Sequence, residues 1–252
     1  MGKVIAIANQ KGGVGKTTTA VNLSAALALE GKKVLIVDLD AQGNTCSGLG
    51  VNKENEDKSI YEVLIENLPI EKTIQEIQKN LYLVPVNMNL AGGQVEILDL
   101  EDRETRLKKA LEKIKNNYDF MIIDCPPSLD IMTLNALVAA DSVMIPLQCE
   151  FYALEGLAQL LKTISLVQKR LNPALAIEGV LLTMYDSRTN LSTMVMEEAT
   201  SYFKEKVYKT IIPRNIKLSE APSYGQPICT YEPNSIGAKS YQKLAIEVIE
   251  KN

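Results

Sequence analysis

Residues 9–18 read NQKGGVGKTT, and this stretch decides how the rest of the sequence is interpreted. It follows an apolar run at residues 4–8 and opens a segment of helical period. Its three glycines allow backbone conformations with positive φ, which turn successive N–H groups inward at a helix start and create an anion site. Lys16 adds a positive charge for phosphates, and Thr17 adds a hydroxyl for Mg²⁺. The stretch predicts a phosphate-binding loop, although Gln10 stands where the strict P-loop pattern has glycine.

Outward from this loop, apolar runs of strand length alternate with segments of helical period. The runs are continuous, as in strands that are covered on both faces. We predict an α/β fold with a doubly wound, mostly parallel sheet, helices on both faces and ligands at the carboxyl ends of the strands. The predicted strands are residues 4–8, 34–38, 81–85, 120–124, 142–146, 177–184 and 207–212. The predicted helices are residues 16–29, 104–116, 131–139, 154–170, 191–203 and 236–249.

Length and composition favour one domain across residues 1–252, because 252 residues with 46% hydrophobic content can bury one sizeable core. The polar region 52–79 predicts a lid or short helices at the edge of the sheet, and residues 87–99 predict a loop. No apolar stretch reaches the roughly 20 residues of a membrane span, and the N-terminus does not resemble a signal peptide. These features predict a cytosolic protein.

The amino-acid composition excludes several kinds of catalytic and metal-binding site. The chain has no histidine, and its four cysteines form no C-x-x-C pair. The usual zinc sites and all histidine-based catalysis are therefore excluded, and each cysteine is predicted to be a small buried hydrophobe. A net charge of -4 means that any binding to nucleic acid must use a local basic patch.

Two predicted strands end in carboxylates. Asp38 and Asp40 close the second strand, and Asp124 closes the apolar run at residues 120–124, as in a Walker B strand. Mg²⁺ prefers oxygen ligands, and a carboxylate can instead orient an attacking water. The sequence therefore predicts a metal and water site where these strand ends meet the phosphate loop.

Lys11, which precedes the glycine pair, has no place in an ordinary P-loop. With it, the motif KGGVGKTT resembles the deviant Walker A motif of the ParA/MinD family of ATPases. In that family the extra lysine reaches across a dimer to the partner subunit's nucleotide. The resemblance implies ATP and Mg²⁺ as cofactors, with Lys11, Lys16 and Asp40 as catalytic residues. It implies nucleotide contacts from Lys11, Gly12, Gly13, Val14, Gly15, Lys16, Thr17 and Thr18, and a metal environment formed by Thr17, Asp38 and Asp124.

Residues 146–156 and 212–223 narrow the resemblance to the short chromosomal ParA proteins, often called Soj. This resemblance implies DNA partition by an ATP-bound homodimer that binds double-stranded DNA without sequence preference. It also implies slow hydrolysis stimulated by a ParB-type (Spo0J-like) centromere-binding protein, and a cytoplasmic, nucleoid-associated location without stable membrane association. The adenine pocket would use Met184, Pro213, Arg214 and Asn215. DNA would be bound by Arg188 and Lys217, with Lys204, Lys206 and Lys209 nearby in sequence.

Three alternatives remain open. A MinD-like membrane ATPase that regulates the cell division site would need a basic amphipathic C-terminal helix, whereas Glu247 and Glu250 interrupt the apolar residues there, which favours a core helix. An iron–sulfur reductase would use Cys125 but would need a second suitably placed cysteine. A small-molecule ligase or amidotransferase would use the same loop to phosphorylate a carboxylate.

Overall fold

The computed structural model describes residues 2–150 and 155–252, without the side chains of residues 55, 155 and 156. Residues 151–154 of the segment 146–156, and the predicted first residue of the helix 154–170, lie outside the described residues. The strands are β1 Lys3–Ile7, β2 Val34–Asp38, β3 Gln75–Gln78, β4 Leu81–Val84, β5 Phe120–Asp124, β6 Ser142–Gln148 and β7 Ala176–Thr183. The helices are α1 Lys16–Leu29, α2 Asn44–Gly48, α3 Ile60–Leu64, α4 Leu90–Glu96, α5 Arg106–Glu112, α6 Ile131–Ala139, α7 Glu155–Arg170, α8 Asn190–Phe203, α9 Ile216–Glu220, α10 Ile228–Tyr231 and α11 Ile236–Lys251.

Among the described residues, the seven strands form one sheet in the order β3-β4-β2-β5-β1-β6-β7. Neighbours pair in parallel, except that β3 runs antiparallel to β4. The central strands β1, β2 and β5 are almost entirely buried, since helices cover both faces of the sheet. The doubly wound fold is confirmed. Its parallel strands place their carboxyl ends at one edge, where the chain leaves β1, β2 and β5.

Most predicted elements are confirmed within a few residues. The bounds of β2, β5, α1 and α6 agree with the prediction. A loop residue provides hydrogen bonds for the free carbonyl groups at the end of α6, because the side-chain amide of Asn172 donates to them. Three of the four cysteines are buried as predicted, and Cys229 is half-buried.

The predicted strand 207–212 is wrong. The segment pairs with β7 at one isolated position, Val207 with Val180. The residue that follows the segment, Pro213, pairs with Tyr185, which lies just beyond the end of β7. Between these two contacts the segment has one residue more than the facing chain from Val180 to Tyr185 has, so a continuous ladder does not form. The N–H groups of residues 209 and 210 donate instead to the Glu247 carboxylate on α11, at 2.9 and 3.0 Å.

Two regions at the β3 edge differ from the prediction. The short helices expected at residues 52–79 are present, but the polar segment Gln75–Gln78 also forms an edge strand that the apolar pattern did not indicate. Residues 87–99 are not a loop, because α4 lies within them, followed by a 3₁₀ turn at Ile97–Asp99. Helix α4 contains two adjacent glycines, which are unfavourable in helices and indicated a loop. Gly93 is required by packing, since a Cβ there would lie 2.7 Å from a ring carbon of Tyr61.

The C-terminal helix α11 is a core helix, as predicted. Leu244, Ala245 and Val248 are buried, and the hydroxyl of Tyr241 is 3.2 Å from that of Thr19 on α1. Across the described part of the chain, no helix combines the length and the apolar character needed to cross a membrane.

A backbone contact between Gly50 and Gly225 generates a stability prediction. A Cβ on Gly225 would lie 2.7 Å from the Gly50 Cα, and Gly225 has a φ of 62°. We expect Gly225→Ala to lower the free energy of unfolding by at least about 2 kcal/mol, through overpacking and left-handed strain. The control is Gly31→Ala, where φ is 81° but no described atom lies within 4 Å of an added Cβ. It should cost only about 1 kcal/mol. Equal costs in urea unfolding followed by circular dichroism would show that the contact is not tight.

Candidate phosphate-binding and catalytic site

The glycine loop joins β1 to the amino end of α1. Gly13 and Gly15 have positive φ values of 74° and 90°, which residues with a side chain rarely adopt. Gly15 is the N-cap of α1, and no side chain caps that helix end. The N–H groups of the first helical turn therefore remain available for an anion, in the field of a helix of 14 residues.

The two lysines of the loop have different surroundings. Lys16 is buried, with 7% of its surface exposed, and its Nζ donates to the backbone carbonyl of Lys11 at 3.1 Å. Burial lowers the pKa of Lys16, while the nearby Asp124 carboxylate opposes the decrease. Lys11 is partly exposed, and its Nζ lies 3.3 Å from Oε2 of Glu150. Lys16 is thus fixed inside the site, whereas Lys11 lies at its rim.

Three carboxylates meet beside the loop. Asp38 and Asp124 are direct register partners on β2 and β5, and both are fully buried. Asp38 accepts hydrogen bonds from the backbone N–H groups of Asp40 and Cys46, at 3.1 and 3.2 Å. Asp40 is 9% exposed and accepts from the N–H of Gln42 at 3.0 Å. Asp38 therefore anchors the loop that carries Asp40.

Burial makes the two strand-end carboxylates electrostatically unfavourable in the free protein. Burial raises the pKa of Asp38, and the adjacent Asp124 raises it further. Burial likewise raises the pKa of Asp124, while the nearby hydroxyl of Thr17 and the hydrogen-bonded hydroxyl of Thr45 oppose the increase. Oδ1 of Asp124 is buried and has no hydrogen-bond partner among the described residues. An oxygen in this state is suited to a cation.

Sequence reasoning missed several residues that shape the site. The hydroxyl of Thr45, at the start of α2, donates to Oδ2 of Asp124 at 2.8 Å. The hydroxyl of Thr183, at the end of β7, donates to the carbonyl of Val14 at 2.8 Å. Asn9 accepts from the N–H of Lys11 and donates to a carbonyl of β6. Of these residues, only Thr45 had a local signal, because a hydroxyl follows the acidic residue Asp40 closely in the sequence.

Two adjoining cavities flank the loop. One of about 290 Å³ includes most of the predicted phosphate and water residues. Its lining is Gly12, Gly13, Gly15, Lys16, Thr17, Thr18, Asp40, Gln42, Asn44, Pro127 and Met184. The other, of about 370 Å³, brings together the four predicted adenine-pocket residues, Met184, Pro213, Arg214 and Asn215, with Gly15 and Thr18. The parallel contact between Tyr185 and Pro213 explains this convergence of distant segments.

The predicted DNA-binding residues lie on two segments that leave this same contact: Arg188 is in the loop after Tyr185, and Lys217 is in α9, which follows Pro213. Arg188 is 85% exposed, and its guanidinium contacts both carboxylate oxygens of Asp186, at 2.9 and 2.7 Å. Lys217 is paired with Glu220 at 2.8 Å. Lys206 does not lie with them. It precedes the contact of Val207 with β7, on the order of 15 Å away along that strand.

Fold and site together define a P-loop NTPase whose loop carries the extra lysine of the deviant Walker A type. The family described as an AAA domain matches residues 2–177. The sporulation initiation inhibitor protein Soj of Bacillus subtilis is 58% identical over 249 residues, which is 98% of each chain. The chain belongs to the Soj/ParA family of chromosome-partitioning proteins. A second relative, the chromosome partitioning protein ParA of Myxococcus xanthus, is 51% identical over 100% of this chain and 89% of its own.

Solved structures agree on the fold. Cobyrinic acid a,c-diamide synthase from Mycobacterium smegmatis superposes with a TM-score of 0.87 at 39% identity, over 99% of this chain and 95% of that chain. That protein was solved with ADP and magnesium and with an ATP analogue and magnesium.

The repulsion between Asp38 and Asp124 generates a stability prediction. In buffer with EDTA and without nucleotide, Asp124→Asn should raise the free energy of unfolding by about 1 to 2 kcal/mol at neutral pH, because one buried charge is removed. A carboxyl group whose pKa is raised by folding destabilises the folded state above its ordinary pKa. The unmodified protein should therefore gain stability as the pH falls from about 8 towards about 5, and this gain should be smaller in the variant.

The control for this experiment is Asp141→Asn. Asp141 accepts from the N–H of Val4 at 2.8 Å and pairs with Lys115 at 2.7 Å, so its replacement should lower stability. If Asp124→Asn also lowered stability in urea unfolding, the carboxylate pair would not be a source of strain.

Proposed function

We propose that this protein is an ATP-dependent partition ATPase that segregates a chromosome or plasmid. One observation carries the proposal. A glycine loop with Lys11 and Lys16 meets the carboxylates of Asp38, Asp40 and Asp124 at one sheet edge, in a chain that is 58% identical to a Soj protein over 98% of its length. The loop and the buried lysine would bind the phosphates, and the cavity beside Met184 would bind the adenine.

The residues of the site fit a magnesium ion, because the donors are oxygens and one buried carboxylate oxygen of Asp124 lacks a partner. Asp124 and Thr17 would hold the ion, and Asp38 would add negative potential while it fixes the adjoining loop. Bound magnesium would neutralise charge on the β and γ phosphates. Such binding would relieve the repulsion between the two strand-end carboxylates.

Hydrolysis would depend on Asp40. Its carboxylate lies in the loop cavity with Lys16 and Thr17, where it can orient a water molecule and accept a proton from it. Lys16 would stabilise the negative charge that develops on the phosphoryl oxygens. The described lining of this cavity includes no arginine, and P-loop enzymes without a positioned arginine are commonly slow. Slow hydrolysis stimulated by a ParB-type partner fits this arrangement.

The proposed dimer rests on residues at the rim of the site. Lys11 is held by Glu150 within its own subunit, and an exposed pair of this kind contributes only about 0 to 1 kcal/mol. The lysine can therefore exchange the carboxylate for a phosphate of the partner subunit's nucleotide. Gly12 and Gly13 are exposed, with no described atom within 4 Å of an added Cβ, so a second subunit can approach the loop closely.

DNA binding is proposed for Arg188 and Lys217. Arg188 is exposed and Lys217 is half-exposed, and each is paired with a single carboxylate. Arg188 lies in the loop after Tyr185 and Lys217 lies in α9, on the two segments that leave the contact of Tyr185 with Pro213. DNA phosphates can replace these carboxylates, since exposed ion pairs are weak. Binding of this kind follows the backbone, weakens with salt and does not read sequence. It would place the ATP-bound homodimer on the nucleoid in the cytoplasm.

The partition function is favoured over the MinD-like and the ligase or amidotransferase alternatives by two observations. Helix α11 buries its apolar residues Leu244 and Val248 in the core, so the face that a MinD-like membrane anchor would need is already covered. The amide synthase that shares the fold is 39% identical, whereas the Soj relative is 58% identical.

Asp40→Ala tests the hydrolytic role. We expect ATP binding to persist, hydrolysis to fall by roughly 100-fold or more, and an ATP-dependent dimer to accumulate in size-exclusion chromatography. The exposed Asp57 provides the control, and Asp57→Ala should leave both properties unchanged. Hydrolysis at the rate of the unmodified protein would remove Asp40 from its role.

The double variant Arg188→Glu with Lys217→Glu tests the DNA surface. Nonspecific binding of a DNA duplex by the ATP-bound dimer should weaken at least about tenfold at low salt, while dimerisation persists. Lys109→Glu with Lys113→Glu makes the same change of net charge elsewhere and should have a much smaller effect. Conversely, Asp186→Asn should strengthen DNA binding, because it frees the Arg188 guanidinium. Equal effects of the two double variants would place the DNA surface elsewhere.

A further inference from the structure

The hydroxyl of Thr45 makes a contact that the nucleotide-site motifs do not account for. Thr45 is fully buried at the start of α2, and its Oγ1 donates to Oδ2 of Asp124 at 2.8 Å. The other oxygen of that carboxylate, Oδ1, is buried and has no partner among the described residues. One oxygen is therefore occupied by a neutral donor, and the other is left free for a cation.

The same turn of chain also holds the neighbouring strand end. The N–H of Cys46 donates to Asp38 at 3.2 Å, and the N–H of Asp40 donates to the other oxygen of Asp38 at 3.1 Å. The start of α2 is thus attached to both buried carboxylates, and the loop with Asp40 is closed between these attachments. Thr45 is the only side-chain attachment of α2 to β5 that the described residues show.

We infer that Thr45 is a positioning residue for the magnesium site, an inference that rests on the proposed function. Its hydrogen bond fixes the rotation of the Asp124 carboxylate, so that Oδ1 is presented as the free oxygen. It also ties the loop of the water-orienting Asp40 to the strand that holds the metal-binding carboxylate. Partners of this kind orient ligands without touching the metal, and their loss typically lowers metal affinity by about 10- to 100-fold.

Thr45→Val removes the hydroxyl with little change in volume, and Thr45→Ser keeps it. The measurement is binding of the fluorescent nucleotide mant-ADP, titrated with magnesium chloride after removal of metal with EDTA. For Thr45→Val we expect the magnesium concentration at half-maximal effect to rise at least about tenfold, while affinity for mant-ADP without metal stays within about twofold. Thr45→Ser should remain close to the unmodified protein.

The matched control is Thr73→Val. Thr73 is also buried, and its hydroxyl donates to the carbonyl of Ile70 at 2.8 Å. Thr73 lies next to the edge strand β3, away from the magnesium site. This variant loses a buried hydrogen bond but should keep the magnesium requirement unchanged. If Thr45→Val does not fold, Thr45→Ala removes the same hydroxyl with less steric demand and should show the same rise.

The outcomes separate this inference from the proposed function. One outcome is that magnesium strengthens mant-ADP binding in the unmodified protein while Thr45→Val or Thr45→Ala needs the same magnesium concentration for half-maximal effect. In that case the positioning role is wrong and the proposed function stands. Equal loss of affinity with and without metal would indicate a merely structural role and would also overturn the inference. If magnesium has no effect on the unmodified protein, the proposed metal site and the inference both fail.

Discussion

The structure depends on two carboxylates that are forced together at the buried end of a parallel sheet. Parallel pairing aligns β2 with β5, so their last residues, Asp38 and Asp124, become direct neighbours without exposure to water. The apolar residues that bring the strands together thus also bring the charges together. Backbone N–H groups, the Thr45 hydroxyl and the Lys16 ammonium compensate part of the desolvation of these charges, and one oxygen is left without a partner. This residual imbalance is what a bound cation would correct.

The rest of the site is arranged around the same sheet edge. The glycine loop is not held by its own residues alone, since the Thr183 hydroxyl on β7 donates to the Val14 carbonyl and the Asn9 side-chain amide donates to a carbonyl of β6. Just beyond β7, Tyr185 contacts Pro213, which lines the second cavity. Arg188 follows Tyr185 along the chain, and α9 with Lys217 follows Pro213. Phosphate, base and DNA surfaces are therefore proposed for neighbouring parts of one edge of the sheet.

The sequence predicted elements well where one local signal dominated. Continuous apolar runs gave the bounds of β2 and β5, and helical periodicity gave those of α1 and α6. It failed where neighbours in space decided the outcome. The segment 207–212 is rich in residues that favour strands, but it does not pair continuously, because two of its N–H groups donate to the Glu247 carboxylate. The two glycines of α4 indicated a loop, and only the packing of Gly93 against Tyr61 explains why glycine is needed in this helix. The polar residues of β3 gave no strand signal, because β3 is an edge strand.

By itself, the sequence determined the fold class, the phosphate loop and the carboxylates at two strand ends, because glycine conformation, apolar continuity and charge are properties of short segments. Only the tertiary structure decided which oxygen of Asp124 is free, that Thr45 holds the other, and that Lys11 pairs with Glu150. It also separated Lys206 from the proposed DNA surface, although the lysine is close to it in sequence. These contacts join residues far apart in the chain, and strand order and register, which no local pattern encodes, bring them within hydrogen-bonding distance.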